Sequence, residues 1–416
     1  MAGRTVAPVR AGERLRSLDT LRGFALLGIL GPNIVSFGWP GMAMVDHHVL
    51  GDTHANYLGH AITSTVFLGK FMFIFAMLFG AGVVVYAHKY DQADAPTKIS
   101  TGAWLWYRRC LILLGFGLIH AYLFWYGDIL TWYALAGLTI LWWIRRVRLS
   151  ILVPLAIGLF LLGVLLLLGF SVMGLWAVEQ GQISRDELFG GNTAAEIAAY
   201  TGTWLDALKT RFFSTLFMHL LLLPFFLPAI VGIMTLGMVM MRNGVLTGER
   251  SMRFYLTTGV LGVVLGGALT LGIFALTGGG QNWQSNFIWQ PLAQPVGVPL
   301  ALGYAMIVIA MTKTSVFDLV TRPLAAVGRM ALTNYFLHTL LCTTFFYGYG
   351  FGYFASVEYP RLWLVIGAVW CVNIVFSLLW LRFFRFGPFE WLWRCMTYGK
   401  LLPILHTPST HAQATP

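Results

Sequence analysis

Long hydrophobic runs, repeated along the whole chain, constrain this sequence more than any other feature. A segment that crosses a bilayer as a helix needs about 20 mostly apolar residues, because no water is present to satisfy its peptide groups. Ten runs read this way, with soft edges: 20–38, 62–88, 106–125, 129–144, 150–176, 214–241, 254–277, 295–311, 324–346 and 361–383. The 416 residues are 58% hydrophobic and only 10% charged, where a soluble domain carries about 25% charged residues. The expectation is an all-α polytopic membrane protein, a bundle of about ten transmembrane helices, and not a soluble enzyme. The first run follows Arg14 and Arg16 as a signal peptide would. It lacks a small-residue cleavage site and more spans follow, so it reads as a retained first helix.

The basic residues predict the orientation. If all ten runs span and the N-terminus is cytoplasmic, the other side of the membrane holds only Arg185, Lys209, Arg211 and Arg361 of the 27 lysines and arginines. The net charge of +11 is then explained by loops beside anionic lipid, and no nucleic-acid partner is expected. This implies a multi-pass membrane protein with both termini cytoplasmic. The expected layout is a cytoplasmic tail over 1–19, a ten-helix domain over 20–383 with an external helix near 192–212, a cytoplasmic interfacial helix over 384–403, and a disordered tail over 404–416. Thr193 and Glu196 fit a capping box at the start of that external helix. Pro388, Trp391 and Trp393 in "FGPFEWLWRCMTYGK" suit an interfacial helix. Cys110, Cys342, Cys371 and Cys395 show neither disulfide nor metal spacing and read as small apolar packing residues.

Polar residues inside such runs need a reason, since an unpaired amide or charge in hydrocarbon costs several kcal/mol or shifts its protonation. Arg22 and Asn33 are eleven residues apart in "LRGFALLGILGPN", nearly the same helix face and roughly 16 Å apart along the axis. Arg109 and His120 repeat that spacing in a run of the same direction, which predicts two helices lining one polar slot. Arg329, Asn334 and His338 lie on a third run of that direction, the last two four residues apart. Lys70 sits too deep in the second run to snorkel easily. Asp128 in "WYGDIL" is its nearest acidic partner by depth, either in a structural pair or in a substrate site. The loop "DHHVLGDTHANYLGH" is dense in histidine, with His47 and His48 adjacent; it suits ordinary loop chemistry, a general base, or a metal. No spacing there matches a structural zinc pattern, so no metal is expected. His219 reads as a packing histidine.

The segments "LDTLRGFALLGILGPN", "KFMFIFAMLFGAG", "GLIHAYLFWYGDILTWYALAG", "GRMALTNY" and "FGPFEWLWRCMTYG" together resemble the YeiB-type family of bacterial multi-pass membrane proteins. That resemblance implies the bacterial plasma (inner) membrane. More distantly, "SLDTLRG" followed by Asn33 is similar to the first span of transmembrane acyltransferases such as heparan-α-glucosaminide N-acetyltransferase. That likeness implies a bundle with a through-membrane pore and transfer of an acyl group from cytosolic acyl-CoA (acetyl-CoA) to an extracytoplasmic sugar or lipid acceptor. It puts Arg22 at the cytosolic mouth and Asn33 beside the thioester. The histidine those enzymes carry eleven residues past the asparagine is Met44 here, with His47 and His48 close behind.

The leading expectation is therefore an acyltransferase. Arg22, Arg108, Arg109 and Arg329 would hold the phosphates of CoA, Asn33 would donate to the thioester oxygen, and His120 or His47 would act as base. Lys70, Asp128, Asn334 and His338 would form a supporting polar core. The partners would be membrane lipids, acyl-CoA and the acceptor, with no tightly bound cofactor and a homo-oligomer left open. The alternatives are a small-molecule or lipid transporter, using Lys70, His120 and Asp128, and a non-catalytic scaffold.

Overall fold

A computed structural model describes residues 16–91, 101–189 and 191–406. The charges at Arg4, Arg10, Arg14 and Lys98, and most of the two expected tails, lie outside the described residues. In chain order the helices begin with α1 (Arg16–Gly38), two 3-10 turns (Gly41–Met44 and His47–Leu50) and α2 (His54–Ile62), which leads through a π turn (Thr63–Phe67) into α3 (Lys70–Asp91). Next come α4 (Thr101–Ile119) with a terminal π turn (His120–Phe124), α5 (Leu130–Leu138), α6 (Leu141–Ile144) and α7 (Leu149–Glu179). Three shorter helices follow: α8 (Arg185–Leu188), α9 (Thr193–Thr201) and α10 (Trp204–Phe217), the last joined by a π turn (Met218–Leu222) to α11 (Leu223–Arg242). The chain closes with α12 (Met252–Leu276), α13 (Trp283–Thr312), α14 (Asp318–Arg329), α15 (Ala331–Phe346), α16 (Tyr359–Phe383) and α17 (Pro388–Tyr398). Among the described residues no strand forms, only an isolated bridge between Phe384 and Leu405.

Among the described residues eight helical stretches are long and apolar enough to cross a membrane, against ten expected. The two that differ are broken. Run 129–144 divides at Thr139 into α5 and α6, of 9 and 4 residues, and the longer is only about 14 Å of helix. Run 324–346 divides at Met330, leaving α15 with 16 residues, about 24 Å against a hydrocarbon thickness of about 30 Å. The expected helix near 192–212 is two helices, α9 and α10. The expected capping box fails as well. Asn192 caps α9 through its side chain at Ala195 N, 3.1 Å away, and Glu196 is drawn elsewhere. Residues 404–406 are not a free tail: Arg385 N donates to Ile404 O at 2.8 Å.

Helix α1 is the axis of the bundle, with 83% of its apolar window buried. At its N-terminal end, called here the base, it packs on α14 so closely that a Cβ on Gly23 would strike the Leu324 carbonyl. Helix α17 closes the base. Its Glu390 accepts from Leu332 N at 2.6 Å and Thr333 N at 3.1 Å, which satisfies the free amides opening α15. Helices α3 and α11 meet through a reciprocal contact, Gly80 against the Met234 backbone and Gly237 against Met77. Small residues of this kind let two backbones approach where no hydrophobic force separates lipid from side chain. Gly80→Ala should lower thermal stability in detergent by about 1–3 kcal/mol, the usual cost of overpacking. Gly82→Ala, with open space around its Cβ, should leave it unchanged, and equal melting temperatures for the two variants would contradict the contact.

Candidate functional site

The three π turns converge on one place. A cavity of about 530 Å3 lies toward the C-terminal end of α1, the lid end, and its wall includes residues from or beside all three π turns: Phe67, Leu68 and Gly69, then Trp125 to Asp128, then Met218 and Leu222. A π turn leaves carbonyls without helical partners, and in each of the first two a side chain supplies the missing donor. Thr215 Oγ1 donates to Ala121 O at 3.0 Å and the buried Arg211 donates to Leu123 O. Lys70, 1% exposed, donates to Ser64 O at 3.4 Å.

Asn33 lines this cavity, and its side-chain amide has no hydrogen-bond partner among the described residues. Asp128 lines the same cavity. Its Oδ2 accepts from Thr131 N at 2.7 Å, which caps α5, and its Oδ1 lies 2.9 Å from His120 Nδ1, both side chains fully buried. The oxygen sits at ion-pair distance but off the N–H direction, so this contact falls short of an aligned hydrogen bond. On its far side His120 Nε2 is 2.7 Å from Thr339 Oγ1. Tyr335 completes the surround, its ring 4.9 Å from the imidazole and its hydroxyl accepting from Ile129 N at 3.2 Å.

The slot expected from Asn33 and His120 is thus formed by Asn33 and Asp128. His120 does not line it; its ring touches the buried carboxylate of Asp128, a residue that does. The expected Lys70–Asp128 pair is absent, because Asp128 is engaged by His120 and Thr131 while Lys70 holds the first π turn. Asn334 is structural: its Nδ2 donates to Val327 O at 3.2 Å and to Ser377 Oγ at 2.7 Å, across the break between α14 and α15. His338 is buried on the same helix with Nε2 unpartnered among the described residues. Buried His219 Nε2 is likewise unpartnered, its ring 5.8 Å from Tyr122.

His47 lies apart from the cavity, its ring 4.1 Å from His48 and 5.5 Å from His60. Burial holds its pKa below the ordinary imidazole value, whereas the Asp52 carboxylate raises that of His48. Asp46, His47 and His48 can each bring one ligand atom within 4.8 Å of the others, a grouping that spacing alone did not suggest. Both Asp46 oxygens and both His48 ring nitrogens already have protein partners, however, among them Arg185 at 2.8 Å.

The arginines expected at CoA divide into two sets at the base. Arg22 pairs with Asp19 at 3.1 Å, and Arg109 lies 3.6 Å over the Trp393 ring of α17. Arg108 is half-buried beside Arg109 on α4. Arg329 instead faces a separate pocket with three other arginines.

Glu196, which sequence reasoning treated only as a cap, lines the cavity from the lid helix α9 and accepts from Gly41 N at 3.1 Å. Tyr335, Thr339 and Thr215 escaped that reasoning altogether. The only available signal was the four-residue spacing of Tyr335 and Thr339 on one face of α15.

The chain is 35% identical to the uncharacterized protein YeiB of Escherichia coli (strain K12), over 95% of this chain and all of that protein. It belongs to the YeiB family. The uncharacterized protein YxaH of Bacillus subtilis (strain 168) is 30% identical over 96% of this chain and 98% of its own length. The family described as "Protein of unknown function (DUF418)" matches residues 240–400. That portion carries Tyr335, Thr339 and Glu390, while Asn33, His120 and Asp128 fall in the part that only the full-length relatives cover.

Burial pushes the Glu196 carboxyl from about 4.5 up to about 7. A carboxyl raised in the fold contributes stability in full below about pH 4.5 and loses it as pH climbs to about 7. Glu196→Gln stays neutral throughout and can still accept from Gly41. Between these pH values the melting temperature of the wild type should therefore fall relative to the variant. A difference that does not change with pH would mean that the carboxylate is already charged and solvated.

Proposed function

We propose that the protein transfers an acyl group from cytosolic acyl-CoA to a hydroxyl or amine of an amphipathic acceptor, a sugar or lipid-linked group held in the cavity. The observation that carries this reading is the Asn33 amide, unpartnered among the described residues, in the wall of a cavity that Asp128 also lines, with the buried Asp128 carboxylate just behind that wall and backed by His120. The apolar wall suits an acyl or lipid chain, and few polar groups interrupt it.

In this reading the acceptor oxygen or nitrogen attacks the thioester carbonyl, and the new C–O or C–N bond forms as the C–S bond breaks. Asn33 Nδ2 donates to the oxygen on which charge develops. The acceptor's proton passes to Asp128, and the charge left on that carboxylate before transfer is held by His120 behind it. The CoA sulfur leaves as thiolate and takes up a proton. The base role expected of His120 or His47 moves to the carboxylate, because neither ring lines the cavity. Arg22, Arg108 and Arg109 would hold the CoA phosphates at the base, with Arg109 released from Trp393 or stacked beside the ligand.

The base would face the cytoplasm of a bacterial inner membrane, in keeping with the basic loops. Reporter fusions after Arg146 and Gly248 should then read inside, and those after Gln182 and Gln284 outside. A reversed pattern would put CoA on the wrong side and end the proposal.

Wild-type protein should bind CoA, more weakly as salt is raised, and release free thiol from acetyl-CoA when acceptor is present. Asn33→Ala should keep CoA affinity and cut turnover by about 10²–10³-fold, the usual cost of losing one such donor. Asp128→Asn should do the same. Absence of CoA binding at low salt, together with solute or lipid flux driven by a pH gradient in proteoliposomes, would replace acyl transfer by transport.

A further inference from the structure

The base carries a second site that the acyl-transfer reading does not use. Arg16 from α1, Arg322 and Arg329 from α14, and Arg382 from the end of α16 converge on a pocket of about 330 Å3. One carboxylate serves them. Asp318 pairs with Arg16 and, at 2.7 Å, with Arg322. Asp19 lies near Arg329, but its Oδ1 is taken by Arg22 at 3.1 Å. Arg329 Nε is buried with no hydrogen-bond partner among the described residues, and Arg382 makes no ion pair among them. Four guanidinium groups against the one carboxylate in ion-pair contact leave an excess of three positive charges in a partly enclosed space.

Like charges gathered in one concave patch repel one another, and an anion entering between them is correspondingly stabilised. Planar guanidinium forks match the paired oxygens of a phosphate better than they match a monovalent ion. The rest of the lining points to the ligand's other half. Leu378 and Leu381 of α16 form an apolar wall beside the arginines, and Leu378 is 38% exposed on the bundle's outer surface. A ligand seated here meets charge at one end and a lipid-facing surface at the other.

We propose that this pocket binds the phosphate group of an anionic phospholipid from the leaflet at the base, with its acyl chains lying against α16. The proposal does not depend on acyl transfer. The shared chemistry is a phosphate held by arginine, and a free phosphate compound is the other source.

The test uses the full chain purified in non-ionic detergent at low salt. Thermal unfolding is followed with added phosphatidylglycerol, phosphatidylcholine, or inorganic phosphate, and native mass spectrometry counts the lipids retained. Phosphatidylglycerol should raise the melting temperature by about 3 °C or more at saturation, with one lipid retained selectively and no effect from phosphatidylcholine. Arg382→Gln should abolish this shift, whereas Lys209→Gln near the lid should preserve it. If Arg382→Gln does not fold, Leu378→Asp provides a second route, placing a charge in the acyl path and removing lipid selectivity. Stabilisation by inorganic phosphate equal to that by phosphatidylglycerol would overturn the lipid assignment and leave a soluble phosphate compound as ligand. No selective stabilisation, or a shift that survives in the folded variants, would overturn the site altogether.

Discussion

The structure depends on how it satisfies backbone groups that its helices abandon inside the bundle. Three π turns interrupt the helices around the cavity and two 3-10 turns lie in the link from α1 to α2, and each such irregularity leaves carbonyls or amides that hydrocarbon cannot solvate. Polar side chains settle two of the π turns. Arg211 and Thr215 reach from α10 to Leu123 and Ala121, and Lys70 reaches back to Ser64. The cavity is the space that these interruptions open. Its polar groups are few because most of the polar capacity nearby is already committed to backbone.

This division of labour explains why some buried polar residues are available for chemistry and others are not. Lys70, Asn334 and Arg211 all sit where charge or amide is costly, and each is bonded to carbonyl or hydroxyl oxygen. Asn33 differs in having an open amide. Asp128 stands between the two cases: one oxygen caps α5, and the other meets His120. Asn33 and Asp128 keep polar atoms free of such structural bonds at the cavity, as His338 and His219 do outside it.

Much of the fold was legible in the sequence, because hydrophobic length is a one-dimensional signal. The positions of eight long apolar helices follow from it directly. The breaks at Thr139 and Met330 did not show, since a run of apolar residues reads alike whether or not its helix is continuous. At the site, helical spacing placed Arg22 and Asn33 on one face of α1, and Asn33 does meet a cavity. The same spacing could not reveal that His120 begins a π turn, which changes the direction of everything after it. Depth alone suggested pairing Lys70 with Asp128, but depth carries no information about the azimuth of a helix. Glu196 was hidden for a different reason. Its position after Asn192 and Thr193 fits a local cap so well that a long-range partner at Gly41 had no separate signature.

The burial of α1 also bears on how the protein is made. Helix α1 is synthesised first, yet its enclosing neighbours include α14, α15 and α16, which emerge last. Trp370 of α16 donates to Leu27 O at 2.8 Å, and Gly38 lies against the Phe346 ring at the end of α15. Until those helices arrive, the part of the α1 surface that they cover, Gly23 and Gly38 included, must face lipid or a transient partner. The most enclosed helix of the finished bundle is therefore the longest exposed during its biogenesis, and the moment of greatest risk for this chain falls late in its own translation.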